Sequence, residues 1–194
     1  QAGTYNETIT IPAISGASAT NTITFNGGTG NAASRILTTN TTSSYGNTIT
    51  LNGADYIRFR NITIQNTGSS YGTGVLFTNS ADYNEITDCH IAVSTTTTST
   101  YIVGIRASTT SSTGSSGDHG SFNLIQGNTI VGGYAGIYWY GSGSSDYTTV
   151  QGNQFIDNTL TEWYYYGMRL YYIGGSVVVK HNTAIQRATG TTSS

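Results

Sequence analysis

The feature that most limits the fold of this chain is a short apolar segment that returns at intervals of 26 to 32 residues. Five copies align: Thr48-Ile49-Thr50-Leu51, Gly74-Val75-Leu76-Phe77, Gly104-Ile105-Arg106-Ala107, Gly136-Ile137-Tyr138-Trp139 and Gly167-Met168-Arg169-Leu170. Their starts are separated by 26, 30, 32 and 31 residues. Thr22-Ile23-Thr24-Phe25 lies 26 residues before the first, and an opening strand, Glu7-Thr8-Ile9-Thr10-Ile11, precedes it. A repeat of this length marks arrays in which one unit cannot bury its own apolar face and must stack on the next.

Two further columns accompany the strand. One reads apolar-x-x-Asn-x-apolar: Ile125-x-x-Asn128-x-Ile130, Val150-x-x-Asn153-x-Phe155 and Val179-x-x-Asn182-x-Ala184. Ile86-x-x-Cys89-x-Ile91 repeats it with Cys in the Asn slot. The other is Ala54-Asp55-Tyr56, Ala81-Asp82-Tyr83 and Ser145-Asp146-Tyr147. The Asn column reads as an amide ladder at a turn, and the Asp column as turn-forming side chains.

Alternate side chains of a strand face opposite sides. Ile49, Val75, Ile105, Ile137 and Met168 then point inward, as do Leu51, Phe77, Ala107, Trp139 and Leu170. Thr50, Leu76, Arg106, Tyr138 and Arg169 point outward. No stretch sustains a 3.6-residue period, so almost no helix is expected. The columns predict an all-β fold, a single-stranded right-handed parallel β-helix of about six to seven coils, occupying residues 1–194 as one domain.

These columns resemble the repeats of the pectate-lyase-like superfamily of parallel β-helices. The opening Gly3-Thr4-Tyr5-Asn6-Glu7-Thr8-Ile9-Thr10-Ile11-Pro12 is similar to the first coil of many of its members. The resemblance covers nearly the whole chain and implies the fold, but lyases, hydrolases, esterases, adhesins and binding modules all share that fold.

Composition narrows the function. Seven basic residues against nine acidic give a net charge of −2, too few cations for the basic stripe that nucleic acid requires. No apolar run approaches the ~20 residues that span a bilayer. Cys89 is the single cysteine, which excludes an intrachain disulfide and fits a bacterial exported protein. The chain begins at Gln1 without a methionine, so a processed domain cut from a larger multidomain protein is expected, secreted or at the cell surface.

Catalytic carboxylates are hard to find. Glycosidases flank the scissile bond with two of them, yet the five aligned strands carry no Asp or Glu. Asp157 and Glu162, beside Trp163, are the one pair near aromatic residues, and solvated loop charges explain them more simply. A lyase of this fold implies calcium held by clustered acids plus a basic proton acceptor. Arg106 and Arg169 lie on the appropriate face without such acids, so no cofactor is expected and a structural calcium has no ligand cluster behind it. His90, His119 and His181 lack metal-ligand spacing. Asp118-His119 reads as a polar loop and Cys89 as a small buried filler.

Tyrosine is the clearest excess, at 15 residues. Tyr45, Tyr71, Tyr101 and Tyr164 each precede a strand start by three residues, and Tyr134 does so by two. A turn ladder explains Tyr45, Tyr71 and Tyr101. The outward Tyr138, Tyr140 and Tyr171, with Tyr172, Trp163, Tyr164 and Tyr165, are expected to form an exposed platform for sugar rings, which offer an apolar face and a polar edge. Arg106 and Arg169 would add directed hydrogen bonds. Coils recur every ~4.8 Å, close to the spacing of sugars in a β-linked chain.

The chain is similar in coil architecture and Tyr-rich strands to the β-helical xylan-binding modules of carbohydrate-binding module family 89. That resemblance implies a non-catalytic module that grips a plant cell-wall polysaccharide, xylan first, and is covalently linked to a catalytic domain. The alternative is a polysaccharide lyase or glycoside hydrolase. A third reading is a structural or adhesive solenoid, including an ice-binding surface. An ice face needs a flat Thr array, and the outward column breaks into Leu, Arg and Tyr, while the run Thr95–Thr98 falls in a loop.

Overall fold

A computed structural model describes residues 1–28, 31–42, 46–108, 119–141 and 150–188. Tyr45, Asp118, Asp146 and Tyr147 lie outside the described residues.

The chain opens with β1 (Gly3–Asn6), β2 (Ile9–Pro12) and β3 (Ile23–Asn26), followed by a 3-10 turn at Ala32–Ser34. Next come β4 (Arg35–Thr39), β5 (Asn47–Asn52), β6 (Ile57–Arg60), β7 (Thr63–Asn66), β8 (Gly72–Thr78), β9 (Glu85–Thr87), β10 (His90–Ala92) and β11 (Ile102–Ala107). The later coils hold β12 (Leu124–Gln126), β13 (Thr129–Val131), β14 (Ala135–Tyr140), β15 (Gln154–Ile156), β16 (Thr159–Trp163), β17 (Tyr166–Tyr171), β18 (Val178–Lys180) and β19 (Thr183–Gln186). Every third strand joins the same sheet, and neighbours pair in parallel. The first sheet runs β1-β4-β7-β10-β13-β16-β19, the second β2-β5-β8-β11-β14-β17 and the third β3-β6-β9-β12-β15-β18. The fold is a parallel β-helix, a solenoid with almost no helix.

The five aligned segments lie in β5, β8, β11, β14 and β17, in the register the repeat implies: Ile49, Val75, Ile105, Ile137 and Met168 stack, and Leu51, Phe77, Ala107, Trp139 and Leu170 stack beside them. Both columns fill or pack on the lumen, where Ile49, Leu51, Val75, Phe77, Ile105, Ile137 and Trp139 are fully buried. The glycines have a steric reason. A Cβ on Gly74 would stand 2.8 Å from Ile91 Cγ2, and on Gly136 2.7 Å from Leu160 Cδ2. These positions face the first sheet across the lumen, too close for a side chain.

Two residues turn the chain from the third sheet to the first. One adopts the left-handed conformation: Asn61, Asp88, Gly127, Asp157 and His181, with φ of 52, 53, 68, 55 and 55°. Gly, Asn and Asp tolerate that region best. The residue after it forms a ladder: the backbone N–H of Cys89 donates to Asn128 Oδ1 (3.0 Å), that of Asn128 to Asn158 Oδ1 (3.1 Å) and that of Asn158 to Asn182 Oδ1 (2.9 Å). The matching unit in the coil of β15 and β16 is therefore Phe155-x-x-Asn158-x-Leu160. Asn153, expected in this column, belongs to a second ladder with Asn84 and Asn123 at the opposite end of the third-sheet strands.

The turn between the second and third sheets stacks Tyr56 on Tyr83 and Tyr83 on Phe122, at centroid separations of 4.9 and 4.8 Å. Asp55 Oδ1 accepts the N–H of Asp82, and Asp82 Oδ1 accepts that of Ser121. These aspartates are turn formers. The rung after Asp82-Tyr83 is Ser121-Phe122.

Candidate aromatic and cationic site

The outward face of the second sheet carries Leu76, Arg106, Tyr138 and Arg169 in one register column, as the alternation implies. It is not uniformly open. Tyr138 is 2 % exposed and forms, with Val103 and Ala135, a small apolar cluster outside the lumen, against which Tyr134, Tyr140 and Tyr166 pack. Arg106 is 0 % exposed, and its Nη2 donates to the Thr100 carbonyl at 3.0 Å. Thr100 lies just before β11, so the Arg106 side chain folds back along its own strand. Tyr138 and Arg106 sit under cover, not on an exposed platform. Burial pulls the Arg106 guanidinium down to about 10, which leaves it charged at neutral pH.

Trp163 departs from expectation for a different reason. Glu162 has a φ of 58°, and the register of β16 against β19 shifts between Thr161 and Trp163. An extra residue in a strand reverses the facing of every residue beyond it. Trp163 thereby packs on the lumen, with Nε1 3.3 Å from the place a Cβ on Gly167 would take. His119, read as part of a polar loop, is likewise buried, edge-on to Trp139 at 6.3 Å.

Exposed aromatics lie at Tyr5, Phe25, Tyr83 and Phe122 and, on the last two rungs of the second sheet, at Tyr165 and Tyr171. Tyr165 is 57 % and Tyr171 38 % exposed, while Tyr140, Tyr164 and Tyr172 are half-buried. At the start of β17, Tyr165 stacks on Tyr134 (5.4 Å, 4° between planes) and meets Tyr166 edge-on (4.6 Å). At its end, Tyr171 contacts Tyr140 (4.9 Å) and Tyr172 (4.2 Å). Between the two groups Arg169 lies over Tyr166 (5.1 Å), Tyr138 (5.2 Å), Tyr171 (5.2 Å) and Tyr140 (6.0 Å), and its Nη1 donates to Tyr138 Oη at 3.3 Å. Arg187 covers Tyr164 at 4.7 Å. Six residues separate Tyr165 from Tyr171, so the belt spans roughly 20 Å along the strand. It runs across the solenoid axis. The sequence points to most of its members, Tyr166 among them as part of the run Trp163-Tyr164-Tyr165-Tyr166, whereas Tyr134, which it reads only as a residue ahead of a strand, is brought in by the pairing of β14 with β17.

Asp157 and Glu162 are not brought together. Asp157 occupies the turn before β16, Glu162 the bulge at its far end, and five extended residues separate them by roughly 15 Å, beyond the reach of a carboxylate pair. Asp157 Oδ1 contacts His181 Nδ1 at 3.2 Å. Its neighbour in the same left-handed column is Gly127, and beyond that Asp88. Asp88 and Asp157 thus stand two rungs apart, about 9.6 Å, along a shallow groove of about 440 Å³ that Arg60, Glu85 and Gln126 also line. Glu85 is occupied by Arg58 (2.9 Å) and Arg60 (2.6 Å). Among the described residues no group of three His, Cys, Asp or Glu is placed to hold a metal.

Comparison with known proteins found no matching protein family, no matching curated protein and no matching solved structure.

Proposed function

We propose that this chain is a non-catalytic carbohydrate-binding module that holds a plant cell-wall polysaccharide, xylan first, along the tyrosine belt of β17. The observation that carries the reading is the open pair Tyr165 and Tyr171, backed by Tyr134, Tyr140 and Tyr172 and bridged by Arg169. Stacked tyrosines hold each other rigid, so they offer flat apolar area and phenolic hydroxyls at low entropic cost. A contiguous exposed aromatic patch with a cation at its centre suits a binding face. The polysaccharide lies along the strand, not along the axis as the coil spacing alone suggests, because the aromatics occupy two rungs and extend across them. In this reading the module is secreted or surface-bound by a bacterium and tethered to a catalytic domain. Affinity electrophoresis on soluble xylan, β-glucan and pectin tests it. Retardation that Tyr165→Ala and Tyr171→Ala each weaken supports the reading, and free migration on every polysaccharide refutes it.

A second reading, glycoside hydrolysis, is favoured by Asp88 and Asp157 facing one groove near the upper limit of the ~6.5–9.5 Å used by inverting enzymes. Reducing ends released from xylan or pectin, and lost in Asp88→Asn and Asp157→Asn, would establish it. The absence of product would remove it.

A further inference from the structure

We infer that the belt is built for an acidic glycan, with the carboxylate of a uronic acid residue seated on Arg169. The inference rests on the binding reading above and names the chemistry of its central subsite.

Arg169 touches four tyrosine rings and donates one hydrogen bond, from Nη1 to a neutral phenol. Among the described residues its Nε and Nη2 engage no acceptor, which leaves the side-on edge of the guanidinium, two parallel N–H groups, unused. That edge matches the two oxygens of a carboxylate. No carboxylate among the described residues pairs with it, whereas Arg58 and Arg60 share Glu85.

Arg106 strengthens the case independently. It lies one register step from Tyr138, over whose ring it sits at 5.5 Å, on the rung before Tyr138 as Arg169 is on the rung after it. Its Nε and Nη1 are buried without acceptors among the described residues. Two guanidinium groups therefore share one tyrosine with no counter-ion among the described residues, in a chain whose net charge is −2. Buried cations are stable only when paired. The arrangement concentrates positive potential at the middle of the belt, and an arriving anion relieves it. A neutral xylose or glucose residue would bring no anion to either guanidinium. A uronate would satisfy the open edge of Arg169 while its ring lies on Tyr171 or Tyr166.

The experiment measures, by isothermal titration calorimetry, the affinity for glucuronoxylan and for the same polymer after its carboxyls have been reduced to primary alcohols. The expected result is binding about tenfold tighter to the acidic polymer, with an advantage that shrinks as salt rises from about 0.05 to 0.5 M. In Arg169→Gln the ratio of the two affinities falls to about one, and in Arg169→Lys, which keeps the charge but not the fork, it falls between. A thermal melt confirms that each variant is folded. Equal affinity of the wild type for both polymers overturns the inference and leaves the glycan-binding reading standing. Full discrimination by Arg169→Gln overturns the assignment to this residue. Binding to neither polymer, nor to any other, removes the underlying reading itself.

Discussion

Replacing Asn158 by Ala tests whether the amide ladder holds the coils in register. The Asn158 side chain is almost fully buried and makes four hydrogen bonds. Oδ1 accepts from the backbone N–H of Asn128 (3.1 Å) and from Asn128 Nδ2 (3.0 Å), and Nδ2 donates to the Ile125 carbonyl (2.8 Å) and Asn182 Oδ1 (2.9 Å). Truncation takes from the Asn128 N–H, sealed between two rungs, the acceptor it uses here. A buried unsatisfied donor costs about 1–3 kcal/mol, and each further lost bond about 0.5–1.5 kcal/mol net. Asn128 Nδ2 keeps its second acceptor, the Ile86 carbonyl, and Asn182 Oδ1 keeps the Asn158 N–H, so the partners are only partly stranded. The expected loss is about 3 kcal/mol, which for a chain of this size lowers the melting temperature by roughly 6–12 °C. Circular dichroism melts and guanidinium titrations measure it, and an unchanged denaturant slope shows that the same surface is exposed on unfolding. Asn182→Ala, at the half-exposed end of the ladder, should lose less. A loss below about 1 kcal/mol at Asn158 would show that water or backbone bonds replace the amide, and the ladder would then be a consequence of stacking and not one of its causes.

Cys89 fills an Asn slot with a weaker donor, Sγ lying 3.5 Å from the Phe59 carbonyl, so Cys89→Asn should raise stability by about 1 kcal/mol in the same melts. Burial pushes the Cys89 thiol up to about 11 from 9.0, so the folded chain keeps that proton where the unfolded chain releases it. The stability this group contributes is full below about pH 9 and falls as pH rises toward about 11, a slope that Cys89→Ser removes. Gly136→Ala places a methyl 2.7 Å from Leu160 Cδ2 and 2.8 Å from the Gly167 carbonyl, and should cost about 1–3 kcal/mol in guanidinium titration. Tyr165→Ala should weaken binding to the preferred glycan by about 1–2 kcal/mol in calorimetry while leaving the melt within about 0.5 kcal/mol of wild type.

The rungs are legible in the sequence because period two and a repeat of about thirty residues are properties of the linear chain. Ile49, Val75, Ile105 and Ile137 face the lumen as alternation requires. The Asn column is legible only as a pattern. Val150-x-x-Asn153-x-Phe155 and Phe155-x-x-Asn158-x-Leu160 satisfy it equally, since two ladders stand five residues apart at the ends of one short strand. Which Asn joins Asn128 is decided by which strands pair. Trp163 escapes because one left-handed residue, Glu162, reverses a facing that alternation otherwise fixes. Alternation places Tyr138 and Arg106 outward correctly but says nothing of how far an outward side chain is covered, and Tyr138 is buried by side chains of three rungs, Val103, Ala135 and Tyr166 among them.

The same division explains how a solenoid can carry an aromatic and cationic cluster on two rungs. Inward positions are bound by their neighbours above and below: Phe59 by Phe25 at 4.8 Å, Trp139 by Phe77 and Phe155 at 5.0 and 5.2 Å, the glycines by the wall opposite. Each must suit the whole column. Outward positions answer to fewer partners, and the outward column of the second sheet changes chemistry at every step, from Thr50 through Leu76, Arg106 and Tyr138 to Arg169, over an unchanged parallel register. The open rim of the tyrosine belt is therefore separable from the fold in energy, whereas Tyr138 belongs to a buried cluster. The belt's open members, Tyr165 and Tyr171, contribute little to burial, so their concentration at one end of the sheet is not required by the lumen. Tyr56, Tyr83 and Phe122 show what structural stacking looks like in this chain: one ring per rung, parallel to the axis, above a left-handed turn. The rings around Arg169 break that rule, with three consecutive tyrosines at one end of a strand and two at the other, and it is on this departure from the ladder that the proposed binding face rests.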